Sequence, residues 1–231
     1  HCARYGGNTP CIEVNARDTC VIIDAGTGIY SLGKRLVERG QKEIHLLISH
    51  THWDHIHGFP HFAPLRESDV NVHLYALANA HYSLRDILYG QQKEPFFTDE
   101  LDAVNADLHF TDLCEGKSWN TGNIEVQCRR LNHPSYTGGF RLQSAGKTFS
   151  YVSDVDLYGP RLHGEGMNAG SEDEREQKRI ELQKSALKLA QDTDLVVFDS
   201  FFLTDEYKDD WGHSKMEDAV RFGTEANARR I

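Results

Sequence analysis

Four residues with the spacing H-x-H-x-D-H, at His50, His52, Asp54 and His55, constrain this chain more than any other feature of its sequence. They follow an apolar run over residues 43–49, which predicts a strand covered on both faces. Loops at the carboxyl ends of strands in layered α/β proteins commonly carry the functional residues, because the strand holds their base while the loop varies. Three imidazoles and a carboxylate at this place predict a metal site.

The ligand types in this stretch narrow the kind of metal site. Imidazole nitrogen and carboxylate oxygen suit zinc, iron or manganese, and without a thiolate the stretch does not predict a closed, cysteine-type structural site. The pairs His50 with His52 and Asp54 with His55 can be directed at two different metal ions by a tight turn. The alternatives are a histidine-rich surface turn or the remnant of an expression tag. The interleaved aspartate and tryptophan, and the position after a strand, argue against a tag.

The rest of the chain alternates predicted strands and helices. The predicted strands span residues 11–14, 20–23, 43–49, 70–75, 124–130, 138–142, 147–152 and 195–198, and the predicted helices span residues 29–40, 78–89, 172–191 and 215–225. Ser171 and Glu174 have capping-box spacing at the start of the third helix. Gly26 and Gly28 indicate a tight turn rather than a nucleotide loop, because no third glycine follows at dinucleotide spacing. Two runs of strands interrupted by helices predict two sheets packed face to face, in a single domain of 231 residues.

The composition limits the partners and the compartment. A formal net charge of −10 disfavours a nucleic-acid partner, although a chain with this net charge can still have a local basic patch. The sequence shows no apolar run of membrane-spanning length and no signal-like start, so no membrane partner is expected. Five cysteines without a C-x-x-C pair predict reduced thiols in a cytoplasmic protein, and they are Cys2, Cys11, Cys20, Cys114 and Cys128.

Three later residues share one position in the predicted architecture: His133, Asp154 and His213 each follow an apolar strand and begin a loop. A third histidine would complete a three-imidazole site with the first ligand pair, and a carboxylate would bridge that metal to one held by the second pair. Asp156 and Asp199 are weaker candidates for orienting a liganding imidazole through its other nitrogen. Histidines outside ligand-spaced groups are expected at the surface or in packing, and they are His57, His61, His73, His81 and His109.

These residues resemble the signature of the metallo-β-lactamase-fold hydrolases. The resemblance rests on the H-x-H-x-D-H spacing, on residues 24–26 before it, on His133, which follows His55 by 78 residues, and on Asp154. Within that superfamily, residues 4–9 and 211–214 look most like the phosphodiesterase branch. That branch includes ribonuclease Z and the class-II-like cyclic nucleotide phosphodiesterases.

The resemblance implies an α/β fold, the αβ/βα four-layer sandwich of the metallo-β-lactamase family, in one domain over residues 1–231. It also implies two divalent metal ions, with Zn²⁺ as the first choice and Mn²⁺ or Fe²⁺ as alternatives. The first metal would take His50, His52 and His133, the second would take Asp54 and His55, and Asp154 would bridge them. In the same resemblance Asp54 orients the attacking hydroxide, and His213 is the general acid that protonates the leaving alkoxide.

The two ends of the sequence depart from the family pattern. The family's last metal ligand is a histidine on a further strand, and this chain stops at residues 229–231, where that strand is expected to begin. The chain also opens at His1 without a methionine. We therefore expect the sequence to be truncated at both ends relative to the natural protein.

The expected activity is hydrolysis of a small phosphodiester such as a cyclic nucleotide, because the acidic balance makes a long polyanion an awkward substrate. A ribonuclease Z-like endonuclease that processes tRNA 3′ ends is the alternative, and it would need a basic docking arm that the sequence does not show. A lactam or thioester hydrolase ranks third, since lactamases of this fold generally lack an aspartate at the position of Asp154. A non-catalytic metal-binding scaffold is the remaining alternative. The expected partners are the small substrate and, at most, a second copy of the chain in a homodimer.

Overall fold

A computed structural model describes residues 4, 6–79, 81–97, 100–164, 167 and 169–231, so Cys2 and Tyr5 lie outside the described residues. The chain divides into two compact units, His1–Leu113 and Cys114–Ile231, and five-stranded sheets form in both. The single domain expected over residues 1–231 stays a prediction. Among the helices of the described ranges, none is both long and apolar enough to cross a membrane.

The first unit is built on a mixed sheet with the strand order β1-β2-β3-β4-β5. Its strands are β1 (Ile12–Ala16), β2 (Thr19–Ile23), β3 (Glu43–Ile48), β4 (Asn71–Leu77) and β5 (Asp107–Leu113). β1 and β2 form the predicted antiparallel hairpin, and every later neighbour is parallel. The hairpin turn is shorter than predicted, because Asn15 and Ala16 still pair with Cys20 and Thr19. Arg17 closes the turn with a left-handed φ of 55°.

The α-helices with defined bounds in the described part of this unit are α1 (Gly28–Glu38), α2 (Trp53–Ile56) and α3 (Leu84–Gln91). The apolar stripe of α1, which includes Ile29 and Leu36, lies in one buried cluster with Ile44 and Leu46 of β3. This packing explains why the 3.6-residue spacing of α1 was readable from the sequence. The helix predicted over residues 78–89 begins later than expected. Ser83 is its N-cap and accepts a hydrogen bond from the Asp86 N–H at 3.0 Å, and residues 78, 79, 81 and 82 before it are not helical.

The second unit is built on a sheet with the order β10-β9-β8-β7-β6. Its strands are β6 (Ser118–Thr121), β7 (Ile124–Arg130), β8 (Gly138–Ser144), β9 (Lys147–Val152) and β10 (Leu195–Phe198). β6 to β9 are antiparallel neighbours, whereas β10 lies parallel to β9. Residues 229–231, where a strand was expected to begin, are not in a strand, although the Val196 N–H donates to the Arg230 carbonyl at 2.9 Å.

Two helices complete this unit, α4 (Glu172–Ala190) and α5 (Met216–Glu225). The predicted capping box at the start of α4 is present: Ser171 accepts from the Glu174 N–H, and the Glu174 carboxylate accepts from the Ser171 N–H. Ala186 and Leu189 of α4 pack in one buried cluster with Val152, Val196 and Phe222. Helix α4 is thus the crossover that joins the parallel strands β9 and β10.

Candidate metal centre

In the first unit the predicted ligand stretch lies where two parallel strands end. β2 and β3 are parallel, and Ile23 pairs with Leu47, so their carboxyl ends lie side by side. Asp24 follows β2, and the ligand stretch follows β3. His52 is extended, with φ −60° and ψ 150°, and is the N-cap of α2, so Asp54 and His55 lie in the first turn of that short helix. The two ligand pairs therefore sit on different backbone conformations, as expected from their spacing.

Asp24 holds this stretch together through three hydrogen bonds to its buried carboxylate. Its Oδ1 accepts from the Ser49 N–H at 2.7 Å, and its Oδ2 accepts from the Ser49 hydroxyl at 2.8 Å. The same Oδ2 lies 2.8 Å from Nδ1 of His55. Because a carboxylate accepts, Nδ1 of His55 carries the proton, and Nε2 has the lone pair that a metal requires. The sequence analysis assigned no role to Asp24 beyond its resemblance to the family pattern.

Ser49 fixes the tautomer of His50 in a similar way. Its hydroxyl proton is donated to Asp24, so its oxygen accepts from Nδ1 of His50 at 3.1 Å. The ring centroid of His50 lies 4.0 Å from that of His55 and 4.7 Å from that of His52. Oδ2 of Asp54 lies 3.5 Å from Nε2 of His55. The structure thus brings the four predicted ligands of this unit together, and their donor types suit a divalent metal.

Asp24→Asn tests the role of this buried carboxylate. Asparagine has a similar volume and tolerates the left-handed φ of 62° at this position, so the substitution changes mainly the charge and one acceptor. We expect a loss of about 2–4 kcal/mol in the free energy of unfolding and a metal affinity about 10–100-fold lower. Urea denaturation and metal titration measure the two effects.

The matched control is Asp69→Asn, which removes an exposed carboxylate that pairs with Lys42 at 2.7 Å. Water screens an exposed ion pair, so this variant should keep both its stability and its metal affinity. An Asp24→Asn protein as stable as this control would show that the carboxylate does not organise the ligand stretch.

In the second unit three candidate residues also follow strands that end at one edge of a sheet. β7 and β9 are both antiparallel to β8, and β10 is parallel to β9, so all three point the same way. His133 follows β7, Asp154 follows β9 and Asp199 follows β10. The architecture predicted for His133 and Asp154 is therefore present in this unit. The same prediction was wrong for His213, because the described segment between β10 and α5 that carries it contains no strand.

His133 is buried and is oriented by a backbone carbonyl. Its Nδ1–H donates to the Gly212 carbonyl at 2.8 Å, which fixes the tautomer and leaves the lone pair on Nε2. That Nε2 lies 3.9 Å from Oδ2 of Asp154. Gly212 has a φ of 77°, and a Cβ at this position would overlap the ring of Pro134. Only glycine can bring its carbonyl this close to His133 without strain.

His213 lies beside the same carboxylate of Asp154. Its Nδ1–H donates to Oδ2 of Asp199 at 2.8 Å, and its Nε2 lies 4.0 Å from Oδ2 of Asp154. Burial raises the pKa of Asp199, and the hydrogen bond from His213 opposes that shift. The ring of Phe201 stacks on the imidazole, with centroids 4.8 Å apart. Ligand atoms of Asp154, Asp199 and His213 all lie within 4.8 Å of one another.

Asp156, the other carboxylate suggested to orient a ligand, has different partners. Its Oδ2 accepts from the Tyr207 hydroxyl at 2.8 Å and lies 3.4 Å from Nε2 of His163, while Oδ1 accepts from the Gly159 N–H at 2.9 Å. These contacts tie down the loop after β9. Asp199 is the carboxylate that orients one of the candidate histidines, and Asp156 contacts His163 instead.

Several histidines outside the candidate ligand set have other contacts. His45, His73 and His109 stack across β3, β4 and β5, with centroids 4.9 Å and 4.7 Å apart. Burial, reinforced by His73, lowers the pKa of His45 to about 4. His57 donates from Nδ1 to the Trp53 carbonyl at 2.8 Å. In the described part of the chain none of these four belongs to a group of side chains placed to hold a metal.

A family profile described as a beta-lactamase superfamily domain matches residues 19–169, well over half of the chain. The chain belongs to the beta-lactamase superfamily. The matched segment contains every predicted metal ligand from His50 to Asp154 and ends before His213. No curated protein matches the sequence.

Three solved structures share the fold of this superfamily member. Human tRNase Z, short form, superposes with a TM-score of 0.66 at 16% identity, covering 96% of this chain and 84% of that one. The metallo-beta-lactamase fold protein YhfI from Bacillus subtilis gives 0.66 at 16% identity, covering 96% and 75%. A diphosphatase from the PhnP family gives 0.61 at 15% identity, covering 95% and 70%. The predicted α/β class and metallo-β-lactamase fold are confirmed, as is the resemblance to hydrolases of that fold.

Proposed function

We propose that this protein is a metal-dependent phosphodiesterase that hydrolyses a small phosphodiester, such as a cyclic nucleotide, with water activated by two divalent metal ions. One observation carries the proposal. Asp24, Ser49 and the Gly212 carbonyl each accept the Nδ1 proton of a candidate histidine, so His55, His50 and His133 all have their lone pair on Nε2. Buried imidazoles with a fixed tautomer are the usual form of a histidine metal ligand.

The donor set fits the metals that the resemblance implies. His50, His52 and His133 would hold the first metal, Asp54 and His55 would hold the second, and Asp154 would contribute its carboxylate to both. This assignment rests on the superfamily signature and on the donor chemistry of each side chain. Nitrogen and carboxylate oxygen donors without thiolate support Zn²⁺ as the first choice, with Mn²⁺ or Fe²⁺ as alternatives.

The mechanism divides between the metals and the side chains. Two bound divalent ions would neutralise charge on the phosphate and make a water acidic enough to attack near neutral pH. The Asp54 carboxylate would accept a hydrogen bond from the attacking water and orient it. His213 donates its Nε2 proton to the departing oxygen, while Asp199 holds Nδ1 and stabilises the imidazolium. Phe201 covers one face of the His213 ring and limits its rotation.

Two alternative functions remain in the proposal. The fold of human tRNase Z, short form, is similar, which favours a ribonuclease Z-like tRNA 3′-processing endonuclease as the second candidate. The net charge of −10 weighs against a long polyanionic substrate. A non-catalytic metal-binding scaffold would keep the same donor set without turnover.

The partners and the compartment are also proposals. We infer that the partners are the small substrate and, at most, a second copy in a homodimer, with neither nucleic acid nor membrane. A cytoplasmic location is supported by four free cysteines among the described residues. Burial raises the pKa of Cys11 to about 12 and that of Cys20 to about 11, so both thiols stay protonated and unreactive.

The test compares four substrates on the metal-loaded protein: a bis-aryl phosphodiester, a cyclic nucleotide, a precursor tRNA and a lactam. We expect turnover of the first two and none of the last two, measured as product release at saturating metal. Preferential cleavage of the precursor tRNA would favour the ribonuclease Z-like function. If the protein binds metal but hydrolyses no phosphodiester, a non-catalytic metal-binding scaffold would explain the results better.

A further inference from the structure

A cavity of about 500 Å³ in the second unit has a charge opposite to that of the whole chain. It lies between the end of β7 and helix α4. Five basic side chains line it, against two acidic ones, Glu115 and Glu181, in a chain whose net charge is −10. The basic residues are Arg129, Arg130, Lys178, Lys184 and Lys188. This is a local basic patch, which is compatible with the negative net charge of the chain.

The two arginines lack acceptors for part of their guanidinium groups. Nε of Arg129 and Nε of Arg130 are buried and have no hydrogen-bond partner among the described residues. Arg129 makes a long contact from Nη1 to the Ser185 hydroxyl at 3.4 Å, and Arg130 lies over the ring of Tyr136 at 4.2 Å. Buried donors in native proteins nearly always have an acceptor. The arginines are therefore arranged for an acceptor that the described chain does not supply.

The lysines on α4 face the same cavity and add uncompensated charge. Lys184 and Lys188 are exposed, and neither forms an ion pair with a carboxylate in the described ranges. They are one helical turn apart, about 6 Å along the axis. Lys178 differs, because it lies 3.9 Å from Glu181 and is partly neutralised by it. Glu115 accepts from the Arg130 backbone N–H at 3.2 Å and offsets part of the arginine charge. The two arginines and these two lysines still leave the cavity with an excess of positive charge.

The arrangement fits a ligand with more than one phosphate. A guanidinium fork binds phosphate oxygens in pairs, whereas lysines act as point charges, so the two walls suit neighbouring phosphates of one chain. The volume lies within the range of small-molecule pockets, about 300–1,000 Å³. We propose that this cavity binds the condensed phosphate chain of a small ligand such as a nucleoside diphosphate or triphosphate.

This site is separate from the proposed metal ligands but close to one of them along the chain. Arg130 ends β7 three residues before His133, so their Cα atoms are at most about 10 Å apart. On the other side of His133, Tyr136 also lines the cavity, so a ligand there would contact a residue three positions after His133. The cavity itself does not depend on the proposed phosphodiesterase activity, so either proposal can fail alone.

Calorimetric titration of the metal-loaded full chain with ADP tests the proposal, with AMP as the single-phosphate comparison. ADP should bind more tightly than AMP, and Lys184→Ala with Lys188→Ala should weaken ADP binding about tenfold, because each exposed charge contributes roughly threefold. Both lysines are exposed on a helix, and alanine favours helix, so the double variant should fold. Far-UV circular dichroism checks this.

Two matched variants show whether ADP binds in this cavity or elsewhere on the chain. Lys34→Ala removes an exposed lysine from helix α1 and should leave ADP binding unchanged. His50→Ala alters the proposed metal centre and should also leave it unchanged. Loss of ADP binding in His50→Ala with retention in the double lysine variant would overturn the proposal. A single-stranded oligonucleotide that displaces ADP and binds more tightly would overturn the assignment to a small ligand.

Discussion

Replacing His50 with alanine should reduce phosphodiester turnover by about 10³-fold or more and remove at least one equivalent of bound metal. His50 is buried, its ring lies 4.0 Å from that of His55, and its Nε2 has the lone pair. A metal that neutralises charge in the transition state supplies several kcal/mol, and each 1.36 kcal/mol is a factor of ten in rate. Product release and elemental analysis of the dialysed protein measure the two losses.

His57→Ala is the matched control, because it removes a histidine of the same segment that is not a proposed ligand. Its Nδ1–H donates to the Trp53 carbonyl at 2.8 Å, at the end of α2. We expect His57→Ala to keep its metal content and to retain activity within about threefold, since it loses one exposed hydrogen bond. Equal losses in the two variants would show that His50 acts through the local fold and not as a ligand.

Metal binding should also be visible as stability. A ligand that binds only the folded chain stabilises it by mass action, by about 2.7 kcal/mol at a concentration of 100 times its Kd. Chelation should therefore lower the melting temperature of the unaltered protein and change that of His50→Ala much less. This readout does not require a substrate, so it tests the metal site even if the natural substrate is different.

The candidate ligands of the first unit were predicted to lie close together, because the information for this lies within six residues. H-x-H-x-D-H after an apolar strand defines the donor types, their spacing and their place at a strand end. The partner that orients them was not predictable in the same way. Asp24 precedes His55 by 31 residues and reaches it only because β2 and β3 are parallel neighbours. The available signal was an aspartate directly after an apolar strand, which alone cannot be distinguished from a turn residue.

In the second unit, contacts between distant positions were even harder to predict from the sequence. His133 and Asp154 were identifiable as residues after predicted strands, but the contact between His133 and the Gly212 carbonyl joins positions 79 residues apart. No local pattern encodes a backbone carbonyl as a hydrogen-bond acceptor. His213 was expected after a strand as well, and the described residues directly before it form no strand. The sequence suggested Asp199 and Asp156 equally as orienting carboxylates, and only the folded chain distinguishes them.

Two strands were not predicted, because the sequence there gives only a weak pattern of apolar side chains. β5 (Asp107–Leu113) is an edge strand of the first sheet with mostly exposed or half-buried residues, so its apolar signal is weak. β6 (Ser118–Thr121) has only four residues and lies at the edge of the second sheet. β7, β9 and β10 were predicted to within a residue, because their buried positions are apolar except for Ser150 of β9. The strands that hold candidate ligands at their carboxyl ends were therefore easier to predict from the sequence than these two edge strands.

Replacing His213 with alanine should affect substrates according to their leaving group. A general acid matters when the departing oxygen is basic, and it typically contributes about 10²–10⁴-fold. We therefore expect His213→Ala to slow a cyclic nucleotide or an alkyl phosphodiester by about that factor. A bis-p-nitrophenyl phosphodiester should slow by less than about tenfold, because its leaving group departs without a proton.

The contacts of His213 suggest two comparison variants. Asp199→Asn keeps a hydrogen-bonding side chain beside Nδ1 but removes the charge that stabilises the imidazolium, so it should show the same dependence on leaving group with a smaller amplitude. His81→Ala removes an exposed histidine of the first unit and should leave both substrates unaffected. The decisive measurement is the slope of log(kcat/KM) against the pKa of the leaving group, which should become steeper in His213→Ala. If both substrates slowed equally and the slope stayed the same, His213 would place the substrate or support Asp154 without donating a proton, and the assignment of the general acid would be wrong.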